Sequence, residues 1–549
     1  MKRFAPIALA LIACGGSSRF ALRPPVLHEH DDAPLARAPA KDEPSDVATA
    51  TDILLLRPLS GLFAFRRTHE ARNVNALDEV PDSTWYENRD VPASAVALGA
   101  CPAFDPAPPF RIKSTKVGGV TPGLVVTDKN KHKYVLKLDE LAKYNQPEIS
   151  TAADAIVSRL YWAVGFNVPC NNVIDVASSD LELDDHSVQV DTVGRKKVLT
   201  REKLTQLMKQ ATRAPSGKMR MSASLFIAGE GVGYWRTEGV RPHDPNDVVP
   251  HEDRRELRGE RYLAAWTAHW DSRVGNTFDT FIKTPGGGHI VHYFIDFSDT
   301  LGGTISRTEW PEPRAGFETV VSFDNAVVDM IGFGFIRRAW DDVEVNPRFP
   351  DLGFLDTKHF DPDGFQPQTP LTRFSIAQPA DLAWMARRLA TIGVDHVRAA
   401  AHAGKFSKPG EEDELVRLMM GRRDIILRRS FSRVSPLGDV AMRDGRVCFV
   451  DFARTSGVAR DEDTHYAAEV RTGPRLRFMP IAPRIERDDR GLCVELPASF
   501  APRAAPRESP ERYLVVDVVR YEHHDHTRIR AHFYDLGPAG YALVGLERL

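Results

Sequence analysis

Cysteine is scarce in this chain, with five residues in 549, and no two of them form a Cys-x-x-Cys pair. That spacing removes the commonest redox and zinc motifs. Net charge is equally thin, because 72 Lys and Arg stand against 75 Asp and Glu. A balance near zero gives no electrostatic reason to expect nucleic acid as a partner. No apolar run approaches the ~20 residues that a membrane-spanning helix needs. Gly-x-Ser-x-Gly, the Walker phosphate loop and His-Glu-x-x-His are missing too, which leaves the serine-hydrolase, P-loop and zincin readings without support.

What is present begins with "MKRFAPIALALIACGGSS": two cations, a short apolar run, then Leu11-Ile12-Ala13-Cys14 and small residues. The pattern predicts a bacterial lipoprotein signal at 1–13, cut so that Cys14 carries the lipid and tethers the protein to the membrane. The expected location is the cell envelope, with the outer membrane or the periplasmic face favoured because Gly15, not Asp, follows Cys14. Residues 14–51 are rich in Ala, Pro, Asp and Arg without apolar period, and predict a flexible tether. Four cysteines remain. Their even number is compatible with disulfides, Cys448 with Cys493 first among them, and equally with buried free thiols.

From residue 52 the composition becomes globular, and 52–109 reads as an N-terminal extension packing on the core. "KVGGVTPGLVVTDKNKHKYVLKLD" (116–139) holds a Gly-rich turn and two alternating runs, the pattern of consecutive antiparallel strands. In "QPEISTAADAIVSRLYWAVG", Ile149, Ala153, Ile156, Leu160 and Val164 recur at helical spacing between Pro147 and Gly165. A second helix is expected from Pro250, with Leu257, Leu263 and Trp266 buried and Arg254, Arg255 and Glu256 wet. Further helices are expected at "PADLAWMARRLATIG" and "EDELVRLMMGRRDIILRRSF". Residues 436–549 alternate in short runs between turns, and predict a β-sandwich.

The chemistry concentrates in "AHWDSRVGNTFDTF" (268–281) and "HYFIDFSDTLG" (292–302). A Gly-rich turn, a Lys in the third strand, a long helix, then His-x-Asp-x-x-x-x-Asn and Asp-Phe after an apolar strand: this order resembles the core of the protein-kinase-like superfamily. Its atypical members, of the HipA-like and spore-coat types, are the nearer match. The resemblance implies an α+β fold, a two-lobed kinase-like core at 110–435 (small lobe 110–200, large lobe 201–435), with a helical extension and the C-terminal β-sandwich. It makes Asp271 the catalytic base and Asn276 and Asp296 the metal ligands. Lys137 would hold the nucleotide phosphates, with Glu148 as its ion-pair partner and Asp154 as the alternative. Gly118, Gly119 and Gly123 would let the backbone approach the phosphates. The implied cofactor is ATP or another nucleotide with Mg or Mn, and the implied partner is a protein or small-molecule hydroxyl acceptor.

Trp270 stands where regulated protein kinases carry Arg, Ser298 where Gly usually follows Asp-Phe, and "GGVTPG" departs from the usual glycine spacing. The alternative to phosphotransfer is accordingly a pseudokinase-type binding or scaffold lipoprotein, or nucleotidyl transfer by the same fold. "LDEVPDSTWYENRD" (77–90) and "RPHDPNDVVPHEDRRELRG" (241–259) are similar to segments of uncharacterised bacterial lipoproteins. Asp451 in a second Asp-Phe reads as structural. "HDPNDVVPHE" reads as a loop before a helix, "YEHHDHTR" as a hairpin turn, and Arg254, Arg255 and Arg258 as a solvated helix face.

Overall fold

Alternating burial along "FRIKST", "GLVVT" and "KYVLKL" turns these runs into strands. The computed structural model describes residues 19–42, 68–116, 122–139, 148–190, 195–209, 211–303, 314–319, 330, 336–338, 340–478 and 482–549. Among the described residues, a mixed sheet joins β1 (Phe110–Thr115), β2 (Gly123–Thr127), β3 (Lys133–Leu138), β4 (Asn171–Val176), β5 (Leu181–Glu182), β6 (Val188–Val190), β7 (Lys196–Val198) and β8 (Met219–Leu225). Its order is β4-β8-β3-β2-β1-β6-β7, with β5 also on β1. The small-lobe sheet therefore reaches Leu225, past the expected limit at 200, because β8 pairs with both β3 and β4.

Helix α1 (Ile149–Val164) lies between the lobes and is buried along its length except at Trp162. It ends at Gly165, whose φ is 122° and where a Cβ would come within 2.3 Å of the Tyr86 ring. Only glycine satisfies both demands. Ile156 and Leu160 of α1 belong to the same core as Leu257, Leu263 and Trp266 of α2 (Arg255–Thr267). That core also takes in α3 (Pro379–Ala390), α4 (Val394–His402) and α5 (Glu411–Phe431). The small-lobe sheet keeps a separate core. The seam between the two cores is where the polar residues of the motifs gather.

A three-stranded sheet, β11 (Gly287–Phe294), β10 (Thr277–Thr284) and β9 (Glu230–Gly233), follows α2. Downstream, β12 (Leu437–Arg443), β13 (Arg446–Asp451), β17 (Gly491–Glu495) and β16 (Ile485–Arg487) form one sheet of the C-terminal module. The other contains β15 (Arg477–Phe478), β14 (Thr464–Thr472), β18 (Tyr513–Glu522), β19 (Asp525–Asp535) and β20 (Tyr541–Arg548). Leu437, Val447, Phe449 and Leu492 from the first meet Val470, Val516, Ile529 and Phe533 from the second in one core, as in a sandwich. Cys448 and Cys493 face each other across β13 and β17 and form a disulfide; Cys101 and Cys170 form another. The fold is α+β: a two-lobed core built on the mixed sheet and the helices, a helical extension and a C-terminal β-sandwich.

Two expectations change. The charged side of α2 is not wet: Arg254, Glu256 and Arg258 are fully buried and Arg255 nearly so. The extension and α3 cover it, and carboxylates pair with each cation. Arg255 meets Asp78 and Asp381, Arg258 meets Asp253 and Asp381, and Arg254 meets Glu29 and Glu256. These arginines are not available to an acidic acceptor. Residues 19–42, expected as tether, instead run against the folded chain. Phe20 packs at a tilt against His532, Asp31 accepts from Thr84, and Asp42 pairs with Arg236. Sparse apolar and acidic anchors hold this strap without any period that composition would reveal.

Candidate active site

Three elements converge on the seam. Strand β3 carries Lys137 opposite Gly123 of β2, and its buried ammonium donates to Asp154 Oδ2 at 3.1 Å and to Asp296 Oδ1 at 2.9 Å. Burial alone would lower this lysine's pKa, but the two carboxylates outweigh it and hold the ammonium above its ordinary value. Asp154, on α1, is a hub with each oxygen used twice. Oδ2 also accepts from the Ser222 hydroxyl at 2.7 Å; Oδ1 accepts from Asn171 Nδ2 and from the Phe297 N–H, each at 3.1 Å. One helix residue thereby ties the small-lobe sheet to the turn that bears Asp296.

That turn follows β11. Asp296 has φ 59°, the left-handed region that Asp tolerates better than most side chains, and so its carboxylate swings back toward Lys137. Ser298 Oγ donates to Asp296 Oδ1 at 2.7 Å, and Lys116 Nζ lies 3.8 Å from Oδ2. Burial would raise this carboxyl; Lys137 and Lys116 together hold it well below the usual range. Phe297 is fully buried against Tyr161 and His269, which fixes the turn from beneath.

The third element is the loop leaving α2. Ala268 closes the helix in the left-handed conformation, and the chain enters His269-Trp270-Asp271. His269 is fully buried, with Nδ1 2.9 Å from the Tyr161 hydroxyl, and burial lowers its pKa to about 3. It is a neutral strut. Glu260 accepts from Tyr161, Ser272 and Arg373, so a buried ion pair supports the loop. Asn276 Nδ2 donates to the Asp271 carbonyl at 2.7 Å and to its carboxylate at 2.9 Å. Arg273 Nε donates to Asp271 Oδ1 at 2.6 Å. Burial raises the Asp271 carboxyl, Arg273 and Asn276 partly offset this, and the Asp296 charge adds to the rise. The two aspartates are therefore electrostatic neighbours. A backbone bond from Ile295 N to Asn276 O, 3.0 Å, joins their two loops.

The structure thus brings Lys137, Asp271, Asn276 and Asp296 together. Glu148 is not with them: Lys137 pairs with Asp154, while Glu148 stands just before α1, about one and two-thirds turns away, and accepts from Ser407 N at 2.8 Å. The i, i+6 offset along the helix separates the two carboxylates. Gly123 is a strand residue whose missing Cβ would come within 2.5 Å of the Leu136 carbonyl. Its smallness serves the sheet, not a phosphate. Gly118, Gly119 and Cys14 lie outside the described residues.

Lys116, Arg273 and Arg373 also belong here. Lys116 stands just before the Gly-rich turn and Arg273 inside the His-x-Asp loop, so proximity to motifs was their signal. Arg373 arrives from a distant segment and carries no local signal. Asp451, by contrast, caps a short helix through Ala453 N and Arg454 N and pairs with Arg520 at 2.7 Å. Asp247 and His251 pair with each other at 2.7 Å, fully enclosed, and His523 turns the β18–β19 hairpin.

Chemically, the seam offers two lysines, a partly exposed carboxylate in Asp296 with 28% of its side chain accessible, an amide oxygen and a second carboxylate. The oxygen donors are hard, and suit Mg²⁺ or Mn²⁺. No protein family matches the chain, and no curated protein matches it. Among solved structures it is similar to the Golgi casein kinase with Mn/ADP bound, at 12% identity and TM-score 0.26 over 59% of this chain and 73% of that one. It is also similar to a second structure of the Golgi casein kinase, at 12% identity and TM-score 0.24 over 72% of this chain and 97% of that one. Similarity at this level assigns neither family nor activity.

Proposed function

We propose that this protein is an atypical kinase-like phosphotransferase that transfers a phosphoryl group from a metal-bound nucleotide to a hydroxyl of a protein or small molecule. The observation that carries the reading is the linked set Asp154–Lys137–Asp296 on one side and Asn276–Asp271 on the other. A scaffold has no need of these charges, desolvated together with only Asp296 left partly accessible.

Each residue then has one role. Lys137 and Lys116 supply fixed positive charge for the nucleotide phosphates. Asp296 and the Asn276 amide oxygen would hold Mg²⁺ or Mn²⁺, which when bound neutralises phosphate charge. Asp271 takes the proton of the acceptor hydroxyl as its oxygen bonds to phosphorus and the bond to the leaving phosphate oxygen breaks. Arg273 keeps that carboxylate ionised and aimed. Trp270, where regulated protein kinases have Arg, makes control through a phosphorylated loop unexpected.

Lipid attachment at Cys14 and an envelope location are part of the proposal. The two disulfides suit an oxidising compartment. The test is thermal stabilisation by ATP with Mg²⁺ or Mn²⁺. A shift that needs both and disappears in Asp296→Ala supports the reading. No shift with any nucleotide would remove it and favour a binding role for the β-sandwich.

A further inference from the structure

Away from the seam, three carboxylates converge with Arg220 and Lys408 near enough to be felt but, among the described residues, with no ion pair to either. Glu148 stands at the N-terminus of α1, Asp351 in the turn Pro350–Leu352 and Glu411 at the first position of α5. One oxygen of each lies within 4.8 Å of the others. Glu411 is 0% exposed, and among the described residues neither of its carboxylate oxygens has a hydrogen-bond partner. A fully buried, unpartnered carboxylate aimed at two more is costly unless a cation or protons sit among them.

The neighbouring cations are committed elsewhere. Arg220 donates to Thr151 Oγ1 and to the Gly404 and Lys405 carbonyls, and Lys408 donates to the Arg348 carbonyl. Among the described residues no ion pair reaches Glu148, Asp351 or Glu411. Glu148 and Asp351 are partly satisfied by backbone: Glu148 accepts from Ser407 N, and Asp351 Oδ1 accepts from Glu148 N at 3.0 Å. These bonds fix the two side chains and leave oxygens directed at Glu411.

We infer that Glu148, Asp351 and Glu411 form a structural site for a hard divalent cation of the calcium class, separate from the phosphotransfer site. Oxygens on opposite sides of one Ca²⁺ stand up to about 4.8 Å apart, given bond lengths of about 2.4 Å. The triad fits within that span. A bound ion would pin the start of α1 to the start of α5 and to the 350–352 turn. Asp154, which holds Lys137 and the Phe297 N–H, lies about 9 Å further along the same helix. The cation would therefore brace the helix that aligns the seam without touching the seam itself.

The experiment uses the full chain stripped with chelator, then titrated with Ca²⁺ or Mg²⁺ without nucleotide, followed by calorimetry and thermal melting. The expected result is about one Ca²⁺ per chain, with a rise in melting temperature that is equal in wild type and Asp296→Ala and lost in Glu411→Gln. Should Glu411→Gln fail to fold, Asp351→Asn, altering a less buried ligand, is expected to weaken Ca²⁺ binding at least tenfold. Absence of a Ca²⁺ response in wild type, or an undiminished response in the folded triad variant, overturns the inference. So does loss of the response in Asp296→Ala, which would place the ion at the seam. Nucleotide-dependent stabilisation is read separately, so failure of either proposal leaves the other standing.

Discussion

Asp154 and Lys137 meet at 3.1 Å across the seam, one from a helix packed in the large-lobe core and the other from the small-lobe sheet. Everything else at the site is arranged around that pair. Asp154 is fully buried and its four hydrogen bonds reach β3, β8, the start of β4 and the Asp296–Phe297 turn. Replacing it with Ala leaves Lys137 buried with one partner and strands Phe297 N. Breaking a buried pair in this way costs about 3–5 kcal/mol. Urea unfolding of Asp154→Ala should show a loss of that size, with Asp154→Asn milder because it keeps the Oδ1 acceptor. A loss below about 1 kcal/mol would show that the hub is not structural.

Asp271 is the residue whose removal should separate chemistry from binding. Asp271→Asn is expected to keep metal-dependent nucleotide stabilisation and to lower phosphoryl transfer by about 10²- to 10⁴-fold. Full transfer activity in that variant would end its assignment as base.

On the proposed assignment of Asp271 as base, Arg273 sets its working pH. Burial raises the Asp271 carboxyl and Arg273 pulls it back down. Removing the cation as Arg273→Gln lets the pKa rise, and since the base must be ionised, the acid limb of kcat/KM moves to higher pH. The guanidinium is 45% exposed, so the shift is expected near the low end of an adjacent-charge effect, about one pH unit. An acid limb that stays in place would mean that Arg273 does not tune Asp271.

The β-sandwich can be tested independently. Cys448 and Cys493 close 45 residues of sequence between paired strands. Constraint of the unfolded chain by a loop of that size is worth about 2–4 kcal/mol. The double variant Cys448→Ala/Cys493→Ala should lower the melting of the sandwich accordingly, and reduction of wild type should mimic it. Equal melting temperatures for oxidised and reduced protein would contradict this.

Several of these features were legible in sequence and others were not, for physical reasons. Lys137, Asp271, Asn276 and Asp296 sit in short motifs whose spacing is set by one strand or one loop, so local order carries them. The Lys137 partner was ambiguous: both Glu148 and Asp154 lie on α1, and only the rotation of the helix against β3 selects between them. Glu260–Arg373 joins residues more than a hundred apart and leaves no local trace. Buried arginines on α2 were misread as solvated because charge predicts exposure only when no carboxylate from another segment covers it. Asp78, Asp253 and Asp381 supply that cover. The turn at Gly165 was readable, since a helix end needing positive φ selects glycine whatever packs on it.

His269 gives the fold a pH dependence with a definite sign. Its ring is fully buried at the start of the His-x-Asp loop, and burial lowers its pKa from 6.5 to about 3. Between those values the unfolded chain binds a proton that the folded chain refuses. Stability from this residue is fully present above pH 6.5 and is lost as pH falls toward 3, at about 1.4 kcal/mol per pH unit within the window. Comparing pH 7 with pH 5, wild type should lose about 2 kcal/mol more than His269→Asn, whose side-chain NH2 can still donate to the Tyr161 hydroxyl oxygen. The difference between the two proteins isolates His269 from every other titrating group. Parallel acid profiles would mean that the ring is protonated in place, and that Glu260, through Tyr161, shares a proton network with it rather than supporting a neutral strut.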